Sequence, residues 1–216
     1  MSEITPPRRR RRRSDADRSA GAILSAAQEV LAAQPTASVE DIAAAAGVSR
    51  QTVYAHFKTR EALIGAVIDV ITDEAVAEMD AAHLDEGPAA AALLRLLDAS
   101  WRTFQRSPLL LTATATAPDA NADRARHRPV VDHLDRLLTR GKDSGEFTDD
   151  VPTSWLATAV VSLGHAAGEA VKAGRMPLPE ATEALARSVL RVCGVTPATL
   201  TDTVNRRERS QASDTR

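Results

Sequence analysis

Residues 38–63, SVEDIAAAAGVSRQTVYAHFKTREAL, leave this chain few folds to choose from. Val39, Ile42, Ala43 and Ala46 recur at i, i+3, i+4 and i+7, the single apolar stripe of a short helix. Ser38 stands just before that stripe and Asp41 three residues later. This is the pattern of a capping box, whose side chains satisfy backbone N–H groups that a first helical turn leaves unpaired. Gly47 suits the left-handed backbone that ends a helix in a tight turn. Ser49 then caps a second helix starting at Arg50, and Val48 and Val53 have the spacing of a hydrophobic staple across that cap. With Phe57 added inside, the pattern predicts two short helices fixed at an angle, a helix-turn-helix.

The free face of the second helix follows from a turn of 100° per residue. If Val53 and Phe57 point inward, Gln51, Thr52 and Ala55 point outward, with Tyr54 and His56 on the flanks. No acid lies between Asp41 and Glu61, whereas Arg50, Lys58 and Arg60 surround the helix. An uncharged-to-basic face suits a polyanion; a solvated helix usually carries Glu or Asp there. Gln bonds bidentately to adenine, Arg to guanine, and Thr or Ala touches a thymine methyl. Arg50, Gln51, Thr52 and Ala55 are therefore the base-edge candidates. A helical hairpin inside an ordinary all-α domain remains the alternative for the same pattern.

At residues 36–68, and most specifically in GVSRQTVYAHFKTREAL, the chain resembles the TetR family of bacterial transcriptional regulators. The resemblance implies an all-α fold: an N-terminal three-helix DNA-binding domain with a helix-turn-helix, plus a C-terminal helical bundle domain for ligand binding and dimerisation. It implies a homodimer on a double-stranded, palindromic DNA operator, acting as a repressor released by a small-molecule effector. Tyr54, His56 and Lys58 resemble the family's phosphate-contacting positions; hydroxyl, imidazole and ammonium groups all donate to phosphate oxygens. No catalytic residue, metal or cofactor is expected.

Composition bounds the answer separately. Apolar residues make up 44% but aromatics only 3%, so the core must be Ala, Leu and Val, which favours helices over strands. One cysteine, Cys193, excludes an internal disulfide and suits the cytoplasm. No apolar run is long enough to span a membrane. The basic start is followed by SDADRSAG rather than an apolar core, so it does not read as a signal peptide. Charge is unevenly spread: residues 1–60 carry ten Lys and Arg against six acids, and the remainder 17 against 23. That asymmetry suits a DNA-facing end and a DNA-avoiding body.

Four segments are expected: a disordered basic arm (1–14), the helix-turn-helix domain (15–60), the ligand-binding and dimerisation domain (61–195) and a flexible tail (196–216). Six consecutive arginines at 8–13 repel one another, which predicts disorder. They read either as an arm that follows phosphates or enters a minor groove, or as a solvated tail. Further helices are expected at about 15–33, 60–82, 89–105, 109–116, 123–144 with an interruption at Pro129, 155–173 and 180–192. The 109–116 segment, with alternating threonines, also suits a strand.

Trp101, Phe104, Leu110 and Trp155 could line an apolar cavity, with Thr112, His127 and His165 as polar contacts. The same residues suit a plain core. Two other functions stay open: a helical small-molecule enzyme using Asp123, His127 and His133, and a ligand-independent DNA-architectural protein. Against the first, the chain has no compact His-x-x-x-His or Cys ligand motif, phosphate-cradling Gly loop or nucleophile elbow. Trp155, Leu156, Ala159, Val160, Leu163 and Ala167 form a broad stripe, as do Leu185, Val189 and Val192. In the resemblance these two helices pair across a twofold axis.

Overall fold

The computed structural model describes residues 8–107 and 120–196, and over these the chain is entirely helical. The helices are α1 (Arg8–Ala33), α2 (Val39–Ala45), α3 (Arg50–His56), α4 (Arg60–Ala81), α5 (Ala89–Arg106), α6 (Ala120–Asp143), α7 (Thr153–Lys172) and α8 (Leu178–Val192). The expected segment at 109–116 and nearly all of the expected tail lie outside the described residues.

The chain divides into two compact units within α4, between Ile71 and Thr72, rather than at residue 60. The cause is the helix itself. Leu63, Val67, Ile71, Ala75 and Met79, every fourth residue, are all buried. Such an unbroken stripe carries no mark of where one core ends and another begins.

In the first unit α1, α2 and α3 pack on one another. Their buried side chains include Ile23, Ala26, Ala27 and Leu31 from α1, Val39, Ile42 and Ala43 from α2, and Val53 from α3. α1 starts at Arg8, so the arginine run continues a helix where disorder was expected. Arginine is a good helix former, and extending an existing helix avoids the cost of nucleation.

In the second unit α5 packs on α6 and α8, and α7 lies against both α6 and α8. Its core holds Leu93, Leu97 and Trp101 of α5, Leu134 and Leu138 of α6, Leu156 and Val160 of α7, and Leu185 and Val189 of α8. Each leucine buried here stabilises the fold by about 1.5–3 kcal/mol. α6 runs through Pro129 without ending. The ring removes one backbone donor on an exposed stretch, and hydrogen-bonded turns on both sides carry the helix past it.

Helix ends in this unit are held from afar. Glu146 accepts from the N–H of Ala89 at 2.9 Å and of Ala90 at 3.1 Å, capping α5 from the loop after α6. After α4 the chain turns through His83, whose φ of 51° is uncommon for a residue with a side chain. Arg95 donates to the carbonyls of Ala82 at 2.9 Å and of His83 and Glu86 at 2.7 Å, gathering this turn onto α5. Cys193 is fully buried at the end of α8, and burial pushes its thiol up to about 11. No helix among the described residues is long and apolar enough to cross a membrane.

Candidate nucleic-acid interface

The positioning of α3 begins one helix earlier. Ser38 Oγ accepts from Asp41 N at 3.2 Å, and Asp41 Oδ2 accepts from Ser38 N at 2.8 Å, closing the capping box of α2. The Ser38 N–H and then its hydroxyl, both donating to Asp41 Oδ2 at 2.8 Å, hold that carboxyl below the usual carboxylate value. Gly47 adopts φ 67°. Its N–H reaches Ala44 O at 3.2 Å while Val48 N–H reaches Ala43 O at 3.0 Å, the paired bonds of a Schellman turn. Ser49 then caps α3, accepting from Thr52 N at 3.1 Å.

The far end of α3 is framed as well. Phe57, in extended conformation, donates its N–H to Val53 O at 2.8 Å. Thr59 Oγ1 caps α4 by accepting from Ala62 N at 3.0 Å. Arg60 reaches back to Ala37 O at 3.0 Å, tying the start of α4 to the connection between α1 and α2. With Val53 only 1% exposed, α3 cannot rotate without emptying its core position.

That fixed rotation sets the outer face. Arg50, Gln51, Ala55 and Lys58 are exposed; Thr52, Tyr54 and His56 are half-buried on the flanks. The structure thus brings all seven candidate residues onto and around one short helix. Two features escaped the sequence reading. Arg50 forms an ion pair with Glu40 of α2, and its guanidinium lies 5.3 Å from the centre of the Tyr54 ring. Hydrogen bonding to Tyr54, then the charge of Glu40, raises its already high pKa. The stretch was free of acids in sequence, but α2 supplies one in space. Thr52 Oγ1 lies 2.9 Å from Ser49 Oγ, so its hydroxyl serves the cap and its methyl remains for contact.

Comparison with known proteins bears on this geometry. The family model for bacterial regulatory proteins of the tetR family matches residues 23–67. The HTH-type transcriptional repressor LfrR of Mycolicibacterium smegmatis is 31% identical over 175 residues, covering 80% of this chain and 89% of LfrR. The chain belongs to the TetR family. It is a DNA-binding transcriptional regulator of the helix-turn-helix type. The HTH-type transcriptional regulator EthR of the same organism is 28% identical over 182 residues, covering 80% of this chain and 83% of EthR. The crystal structure of LfrR in complex with proflavine superposes with a TM-score of 0.63 at 30% identity, covering 82% of this chain and 96% of LfrR.

LfrR was solved with a small molecule bound, and the candidate ligand-contacting residues of this chain fall in the second unit. Trp101 is 6% exposed and meets Phe104 edge-on, their ring centres 6.3 Å apart. Among the described residues its Nε1 has no hydrogen-bond partner. His165 is half-buried on α7 and engaged in an interaction of its own. Leu110, Thr112 and the side chains of Asp123 and His127 lie outside the described residues. Trp155 does not join Trp101 in a buried wall: it is 61% exposed on the outside of α7.

The dimer stripes also divide. Leu156, Val160, Leu185 and Val189 are buried in their own chain's core, while Trp155 and Val192 are exposed, as is Val161, which neither stripe included. A stripe wider than one helix face serves two sides, and periodicity alone cannot say which. His133, the centre of the enzyme alternative, is tied down instead. Its Nδ1 lies 2.8 Å from an Arg136 guanidinium nitrogen and its Nε2 3.2 Å from Asp80 Oδ1. Among the described residues, no three His, Cys, Asp or Glu side chains are grouped to hold a metal ion.

Proposed function

We propose that this TetR-family chain is a cytoplasmic repressor that binds a palindromic operator as a homodimer and leaves it when a small molecule occupies the second unit. The observation that carries the reading is the exposed outer face of α3, whose own residues include no acid, held in orientation by caps at both ends. Gln51 reads adenine, and Ala55 with the Thr52 methyl packs on thymine. Arg50 exchanges Glu40 for a guanine edge. Tyr54, His56 and Lys58 hold phosphates, beside the amides at the start of α4.

One helix this short reads too few base pairs for a unique site, so two half-sites about one helical turn apart are needed. The exposed face of α7 around Trp155 and Val161, with Val192 of α8, supports pairing between two copies. A buried indole N–H that finds no partner among the described residues, beside Phe104, supports an effector that brings a hydrogen-bond acceptor to Trp101. LfrR, named a repressor and solved with proflavine, supports the same scheme. Effector binding shifts the population toward dimers whose α3 helices no longer match successive major grooves. The test is selection of bound duplexes from a random pool: a palindromic consensus is expected, and recovery of unselected sequence would refute the reading.

A further inference from the structure

We propose that the arginines at 8–13 form a helical cationic extension of α1 that lies along the phosphate backbone of the bound duplex and does not enter its minor groove. The inference rests on the DNA-binding reading above and adds a second, sequence-independent contact to it. The run lies ahead of residues 23–67, the stretch that matches the family model.

Three observations carry it. First, α1 is continuous from Arg8 to Ala33, so the run shares one helix with the side chains that build the first unit's core. α1 packs on both α2 and α3, which puts this charge on the unit that carries α3. Second, among the described side chains of α1 the first that is fully buried is Ile23. At 1.5 Å per residue, the last arginine stands about 15 Å of helix before it. Third, an α-helix with side chains is about 10–12 Å across, whereas the minor groove is about 6 Å wide. An extended arm fits that groove and a helix does not.

The charge pattern agrees. Six successive residues at 100° each turn through every side of the helix, so no face is set aside for base edges. Asp15 and Asp17 fall four residues after Arg11 and Arg13, a spacing that supports helix, but two acids cannot neutralise six arginines. Cations at a helix N-terminus are also unfavourable toward the macrodipole. A row of phosphates reverses that sign. About half of the six arginines can face one duplex, which gives about 2–3 phosphate contacts, each adding about 0.9 to the log–log salt slope.

The experiment measures binding of the full-length chain to its selected operator and to a random duplex over a range of salt concentrations. One variant replaces all six arginines by Gln, a comparable helix former. The other, Ser14→Pro, keeps every arginine but breaks the helix behind them. The Gln variant is expected to lose the same factor on both duplexes, with a slope shallower by about 2–3. Ser14→Pro is expected to lose affinity on both duplexes too, with thermal melting unchanged because it lies nine residues before Ile23. An unchanged slope in the Gln variant would overturn the proposal. So would full affinity in Ser14→Pro, or losses confined to sites with A·T-rich flanks, which would mark an extended arm in the minor groove. The two readings fail separately. A wild-type chain with no preference between operator and random duplex would sink the operator reading, while the slope difference would still report on the arginines.

Discussion

The two units hold their helices by different means. In the first, Ser38, Ser49 and Thr59 each cap a helix by accepting from a backbone N–H three residues on. In the second, the start of α5 rests on Glu146, 57 residues away. The turn after α4 is gathered by Arg95, bonded 13 residues back to Ala82. Local caps let α2, the turn and α3 take their angle from neighbouring residues. Remote caps make α5 conditional on the loop after α6. A region that must present fixed geometry to DNA and one that must respond to a ligand would be expected to differ in this way.

The strongest test of this contrast uses two glycines. A Cβ at Gly141 on α6 would meet the buried Phe147 ring at 2.1 Å, whereas one at Gly21 on α1 meets nothing within 4 Å. Gly141→Ala should therefore destabilise the second unit by about 1–3 kcal/mol through overpacking. Gly21→Ala should stabilise the first by about 1 kcal/mol through helix propensity. Both tryptophans, Trp101 and Trp155, lie in the second unit, so fluorescence during denaturant unfolding reports its stability. Circular dichroism follows both units. Equal and small effects at the two glycines would contradict the described packing.

Glu146→Ala removes both acceptors at the start of α5 and should cost about 1–2 kcal/mol, read by the same tryptophan signal. Ser49→Ala removes a single cap and should cost about 1 kcal/mol. Its loss should fall on the helicity and DNA affinity of the first unit and leave the tryptophan transition in place. A shift of that transition as large as the one from Glu146→Ala would mean the units are not held independently.

The smallest effect is one of pH. Hydrogen bonds from Ser38 lower the Asp41 pKa, so the ionised carboxylate stabilises the fold above its unfolded value of about 3.9. That contribution is lost as pH falls through the lower folded value. Asp41→Asn should flatten the acid dependence of first-unit helicity below about pH 4 and change little at neutral pH. An unaltered acid profile would remove the capping box from the account.

The same contrast explains what could be read from the residues alone. The caps, the glycine turn and the inward Val53 depend on spacings of three to four residues, and all were legible. Glu40 was missed because its pairing with Arg50 crosses the turn rather than following a helix period. Glu146 and Arg95 act on residues far along the chain, where local pattern carries no signal. The arginine run was read as disordered because its mutual repulsion was counted and its helix propensity was not. Trp155 was placed in a cavity wall because an apolar stripe does not distinguish a chain's own core from a surface left for another copy.

The central claim is that the outer face of α3 reads base edges while its flanks hold the backbone. The direct measurement is the affinity of Gln51→Ala and Lys58→Ala for the selected operator and for random duplex at one salt concentration. The account predicts that Gln51→Ala loses about 1–3 kcal/mol on the operator and little on random DNA, with relaxed preference at one base pair per half-site. Lys58→Ala should lose similar amounts on both. Equal losses on the two duplexes for Gln51→Ala would contradict the claim that this face reads sequence.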